Sequence, residues 1–346
     1  MEFVDLRSDT VTKPTPEMRE FMMKAEVGDD VFGEDPTIKA LESKITELTG
    51  KDAALFVPSG TMANQISINA HTQPGNEVIC EYQSHIFNYE AGSPAMLSGV
   101  QLHPLNGEYG ILNDEEVRQV IRGKDHHHPQ TKLITLENTH NRWGGTVYPL
   151  SDIEKISKVA IEHELKMHLD GARLWNASIA SGITIKAYAR FFDSVSLCFS
   201  KGLGAPVGSI IAGDRGFIDR AHYYRKAFGG GMRQVGMLAA AAIYAVDHHF
   251  NRLQDDHNHA RALAEAINEI PGFVVNLSTV QTNIVIIDTG LCGRQAQEIA
   301  QEMEKHGIRM IALSPTRIRI VTHLEISDNA IDRTIEIMKK VAGQLN

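Results

Sequence analysis

The feature that most constrains this chain is an alternation. Short apolar runs of strand length, at Ala53–Val57, Glu77–Cys80, Leu133–Leu136, Met167–Leu169, Ser194–Phe199 and Ser209–Ala212, are separated by longer amphipathic stretches. The stretches Thr61–Ala70, Asp114–Arg122, Asp152–His163 and Arg215–Arg225 carry the helical pattern. Strand alternating with helix predicts an α/β fold, with a mostly parallel central sheet covered by helices on both faces. Asn113–Glu116 and Ser151–Glu154 read as helix starts, each with a capping residue and acids in the first turn.

The pattern changes after Met232. Residues 235–270 are almost unbroken helix former, and Pro271-Gly272 ends them. Strand candidates follow at Phe273–Asn276, Asn283–Asp288, Met310–Ala312 and Ile318–Val321, with helices at Arg294–His306 and Asp328–Val341. This predicts a smaller C-terminal α+β domain. The boundary is placed at residue 250, giving an N-terminal arm plus a large domain over 1–250 and a small domain over 251–346.

Composition limits the function. The 346 residues are 42% hydrophobic and 22% charged, a balance that can bury a core. The net charge of −9 argues against a nucleic-acid surface, which needs a basic excess. No apolar run reaches the ~18 residues of a membrane span. Charges at Glu2, Asp5 and Arg7 stand where a signal peptide would have its apolar core, so a cytoplasmic protein without a membrane partner is expected. Cys80, Cys198 and Cys292 are too scattered for a disulfide framework or a structural zinc site and read as buried thiols.

Three features carry chemistry. Lys201, in Ser200-Lys201-Gly202-Leu203-Gly204, directly follows a buried-strand pattern. Most lysines there are solvated loop residues; one at a pocket edge is suited to form an imine. Asp170, in His168-Leu169-Asp170-Gly171-Ala172-Arg173, also ends an apolar run, and 31 residues separate it from Lys201, about one strand–helix–strand unit. Asp170 either opens an ordinary turn or faces a ligand, because open parallel sheets bind ligands outside those strand ends. Pro58-Ser59-Gly60-Thr61 joins a strand to a helix, as a plain capped start or as a phosphate cradle. Together, cradle, carboxylate and lysine match the needs of pyridoxal 5'-phosphate (PLP).

On these residues the chain resembles the threonine aldolases, PLP enzymes of fold type I related to aspartate aminotransferase. The resemblance runs along essentially the whole chain. Its pieces are Asp5–Thr12, Val31–Pro36, Ser59–Asn64, Leu136–His140, Asp170–Arg173, Ser200–Ser209, Gly229–Gln234 and Arg319–His323. The spellings lean toward the low-specificity L-threonine aldolases. The resemblance implies cleavage of L-threonine and L-allo-threonine to glycine and acetaldehyde, with a β-eliminating lyase or an aminotransferase as the alternative. It implies Lys201 as the Schiff-base lysine and Asp170 as the partner of the pyridine nitrogen. Ser59, Gly60 and Thr61 would form the phosphate cradle. His85 would stack on the ring, and Arg173 would lie near the ring 3-oxygen and the substrate carboxylate. Ser8 and Arg319 would hold that carboxylate. Lys226 and Arg233 would reach a neighbouring subunit's site in a homotetramer with shared active sites.

The run His126-His127-His128 reads as a polar loop rather than a metal site, since adjacent loop residues rarely converge on one ion. By resemblance, His127 enters the pocket toward the substrate hydroxyl, with His126 and His128 open as substitutes. His85, His127 and a water remain open as the base for the β-hydroxyl proton. Tyr89 and Glu90 either face the same pocket or pack within a helix.

Overall fold

The computed structural model describes residues 3–343. Twelve strands occur among them in chain order. The first five are β1 (Val4–Asp5), β2 (Ala53–Val57), β3 (Asn76–Glu81), β4 (Gln101–Leu105) and β5 (Gln130–Glu137). Then come β6 (Lys166–Gly171), β7 (Ser194–Cys198), β8 (Ser209–Gly213) and β9 (Ile284–Asp288). The last are β10 (Ile308–Arg309), β11 (Ile311–Ser314) and β12 (Arg317–Val321).

Seven strands form one sheet in the order β2-β8-β7-β6-β5-β3-β4. All neighbours are parallel except at β8, which runs antiparallel to both β2 and β7. The interior strands are buried along nearly their whole length, as expected for a sheet covered on both faces. In register, Glu137 lies beside Asp170 and Asp170 beside Ser196, so several polar residues collect at one edge. Gly171 is required there: a Cβ at this position would collide with the Ser196 carbonyl and push β6 away from β7.

A second, three-stranded antiparallel sheet, β11-β12-β9, belongs to a separate apolar cluster built from Leu263, Ile267, Val285, Ile287, Ile299, Met303, Ile318 and Ile320. The N-terminal arm joins this cluster. β1 pairs in parallel with β10, and Val4 and Leu6 are buried in it. Val4 and Leu6 therefore pack with residues between Ala260 and Ala342, not with the large sheet that follows them.

Several sequence expectations differ from the structure in detail. The helical stretch 235–270 is two helices, Gly236–His249 and Leu253–Asn268, parted at Phe250–Arg252. Phe273–Asn276 forms only a single bridge, Val274 with Asp288. The helix near Asp152 begins at Leu150 after Pro149, and no side chain caps it. The Asn113 start holds, with its side chain accepting from the Glu115 and Glu116 amides. Cys80 and Cys198 are buried, whereas Cys292 is half-buried.

Candidate active site

The C-terminal ends of β2, β3, β5, β6 and β7 surround a pocket of about 490 Å3. From the turn after β2 come Ser59, Gly60 and Thr61, and from the turn after β3 comes His85. Asp170 and Arg173 enter from β6 and the turn after it, and Lys201 from the loop after β7. Ser8 on the arm and Arg319 on β12 close the other side. Nine of the residues singled out in the sequence thus meet in one place, although more than 300 positions separate Ser8 from Arg319.

The cradle is the N-terminus of helix Gly60–His71. Ser59 caps it, its hydroxyl accepting from the Met62 amide at 3.2 Å. The first-turn N–H groups of Gly60 and Thr61 have no carbonyl inside the helix, and the helix dipole makes this end attractive to a phosphate. Asp170 is 4% exposed. Its carboxylate accepts from Asn64 Nδ2 at 2.8 Å and the Ala172 amide at 3.1 Å, and no basic side chain pairs with it among the described residues. A buried carboxylate held by neutral donors and open to the pocket suits a protonated ring nitrogen. Lys201 is fixed through its backbone: its carbonyl accepts from the Gly204 amide at 2.8 Å and from Thr12 Oγ1 at 3.1 Å. Its ammonium makes no hydrogen bond or ion pair to the described residues. The donor set therefore fits PLP: an amine, a carboxylate and a helix N-terminus around one cavity.

The arginines divide their work. Arg173 is buried and gives both Nε (2.8 Å) and Nη2 (2.6 Å) to Asp9. That leaves only Nη1, 3.5 Å from Asn141 Oδ1, to turn elsewhere. Arg319 gives Nη1 to Asn141 at 2.9 Å and Nη2 to the Arg7 carbonyl at 3.1 Å, while its Nε is buried with no partner. Burial, with Arg173 repelling it, pushes the Arg319 guanidinium down to about 10, and Asp9 opposes the shift. A partly buried cation at the pocket wall is stabilised by an incoming anion.

His85 donates its backbone N–H to Glu137 at 2.7 Å, and its Nδ1 lies 2.8 Å from Glu90 Oε1. Burial alone would lower its pKa; the Glu90 bond with the charges of Asp170 and Glu137 outweighs this and raises it. Tyr89 is half-exposed, its ring 5.7 Å from that of His85. Glu90 lies buried behind His85.

The remaining predicted residues are elsewhere. His127 sits in the exposed loop before β5, bonded to Asp125 at 2.8 Å, with His126 and His128 exposed beside it. Eight residues of strand, roughly 25 Å, separate that end of β5 from Glu137 at the pocket. Within this chain His127 does not line the pocket: the loop lies at the opposite end of β5. Lys226 and Arg233 are also exposed outside the pocket, Arg233 paired with Asp29 at 3.0 Å. Sequence reasoning gave no role to Asp9, Asn64 or Asn141. The signal for Asp9 and Asn64 was their place inside the motifs Asp5–Thr12 and Ser59–Asn64.

The family described as beta-eliminating lyase matches residues 5–289. An Arabidopsis thaliana protein named probable low-specificity L-threonine aldolase 2 is 46% identical over 98% of this chain and 97% of its own length. The chain belongs to this family. The low-specificity L-threonine aldolase of Escherichia coli K12 is 42% identical over 94% of this chain and 95% of its own. A solved threonine aldolase from Leishmania major superposes with a TM-score of 0.83 at 21% identity, covering 98% of this chain and 99% of that one, a likeness that speaks to the fold. Ser8 falls inside the matched residues 5–289 and Arg319 outside them, so the placement of Arg319 rests on the geometry above.

Proposed function

We propose that this protein is a PLP-dependent aldolase that cleaves L-threonine and L-allo-threonine to glycine and acetaldehyde. The observation that carries the reading is the convergence of Lys201, Asp170, His85, Arg319 and the helix start at Gly60 on one pocket, in a chain whose relatives bear that enzyme's name. Bound there, PLP would supply an aldehyde for imine chemistry and a ring able to accept electrons.

The chain's own groups do the rest. Gly60 and Thr61 N–H groups would bind the phosphate, and Asp170 would hold a proton on the ring nitrogen. Lys201 would be the amine that holds the cofactor in the pocket. The Arg319 guanidinium, which lines the pocket, takes the substrate carboxylate, with the Ser8 hydroxyl beside it. Arg173, tied to Asp9, offers Nη1 and its charge rather than a bidentate edge. His85 turns Nε2 toward the pocket, where a neutral imidazole takes the β-hydroxyl proton directly or through one water as acetaldehyde leaves.

His127, Lys226 and Arg233 serve the reaction only from another copy of the chain. A homotetramer in which each pocket borrows these residues accommodates their exposure here. Mixing Lys201→Ala subunits with His127→Phe subunits tests it. Activity in the mixture above that of either parent supports borrowing; activity equal to their average removes it.

The activity test is product identity with purified, PLP-supplemented protein. Glycine and acetaldehyde support the aldolase. Pyruvate with ammonia would indicate β-elimination, and a keto acid would indicate transamination.

A further inference from the structure

Glu90 is used by nothing in the mechanism above, yet it is a carboxylate whose side chain is 0% exposed. Three donors converge on it: Asn64 Nδ2 at 2.9 Å, Gln65 Nε2 at 2.5 Å and His85 Nδ1 at 2.8 Å. No lysine or arginine reaches it among the described residues, so His85 is the one ionisable donor. The orientation of Asn64 is settled by its other end. Its Oδ1 accepts from Ser196 Oγ at 3.2 Å and lies 3.1 Å from His168 Nε2. The nitrogen therefore faces the acids, one amide hydrogen on Glu90 and the other on Asp170 at 2.8 Å.

We propose that Glu90 is a positioning residue: it holds the proton of His85 on Nδ1, presents Nε2 to the pocket as an acceptor, and shares Asn64 with Asp170 so that imidazole and carboxylate are set by one network. An ionised carboxylate only accepts, so the atom of His85 facing Oε1 must carry hydrogen. In the neutral ring this leaves Nε2 with its lone pair toward the substrate hydroxyl. The same logic orients metal-ligating and catalytic histidines, whose far nitrogen is fixed by a carboxylate. The inference deepens the aldolase reading and rests on it for the use of Nε2, but the tautomer itself does not depend on that reading. Asp170 from β6 and Glu137 from β5 also face His85, Tyr89 packs on it, and Lys201 lines the same pocket.

Two substitutions separate charge from hydrogen bonding. Glu90→Gln keeps an acceptor for His85 and Asn64. Its new NH2 meets Gln65, whose Oε1 is buried without a partner and can accept after the amide flips. Glu90→Met removes the acceptor altogether. The measurement is ring-nitrogen NMR of His85 in the full-length protein, with and without PLP, assigned through His85→Asn, together with the pH profile of kcat/KM.

The wild type should show the neutral ring protonated on Nδ1. Glu90→Gln should keep that tautomer and lower the proton affinity of His85 about tenfold, a shift of one pKa unit. Its acidic limb should move to lower pH by the same amount, with kcat at high pH retained. Glu90→Met should mix the tautomers and lower kcat roughly 10–100-fold with little change in KM. A wild-type ring protonated on Nε2, or an unchanged tautomer and titration in both variants, would overturn the proposal. A correct tautomer in a protein that releases no acetaldehyde would uphold it and sink the aldolase reading instead.

Discussion

At the scale of single residues, the site separates groups by what their loss should do. Lys201→Ala removes the amine that anchors the cofactor, so turnover should fall by at least about 10³-fold while the fold survives. Circular dichroism and an acetaldehyde assay on the same sample check both halves. Arg319→Ala removes the partly buried cation that lines the pocket. A charge-assisted bond contributes about 1.5–3 kcal/mol, so KM for L-threonine should rise roughly 10–100-fold, more than kcat falls. An unchanged KM would remove Arg319 from substrate binding. For His85, whose pKa is raised, the working base is the neutral form; kcat/KM should therefore decline as pH falls through that raised value. His85→Asn should flatten this limb, read from the rate profile.

At the scale of elements, much was legible because the physics was local. β2 and β8 follow from short apolar runs, and the Gly60 helix follows from a serine cap placed directly after a strand. Lys201 and Asp170 were legible because each ends a buried strand, which places it at the ligand-binding edge. β4 gave no such signal. Its sequence Gln-Leu-His-Pro-Leu contains Pro104, which cannot donate to a ladder and is tolerated here because β4 is the sheet's edge, paired only with β3. The break at Phe250–Arg252 was also hidden, since no glycine or proline marks it. The histidine loop shows a different limit: resemblance pointed His127 at a pocket, while the structure places its loop at the far end of β5.

At the scale of the whole molecule, one buried carboxylate clasps three segments together beside the site. Asp9, fully buried on the N-terminal arm, binds Arg173 of the large-sheet region and accepts from Asn283 Nδ2, beside β9, at 3.1 Å. Burial alone would raise its pKa, but Arg173, the hydrogen bonds and Lys201 outweigh it and hold the carboxyl well below its ordinary range. A depressed pKa means that the pair's stabilisation is present above the unfolded carboxyl value of about 3.9 and is lost as pH falls below it. Asp9→Ala leaves Arg173 buried and unpaired, and should destabilise the protein by about 3–5 kcal/mol. Urea unfolding at neutral pH measures this, and the difference from wild type should shrink toward acid. Equal stability at neutral pH would show that the clasp is not what joins the segments. No sequence pattern announces this contact, because its partners lie 164 and 274 positions from Asp9.

The most direct test of the account is an assay of acetaldehyde release by the purified, PLP-supplemented protein, with L-threonine and L-allo-threonine side by side and Lys201→Ala as control. The pocket predicts acetaldehyde and equimolar glycine from both substrates and none from the variant. Keto-acid or pyruvate formation without acetaldehyde, in a protein that retains PLP, would contradict it.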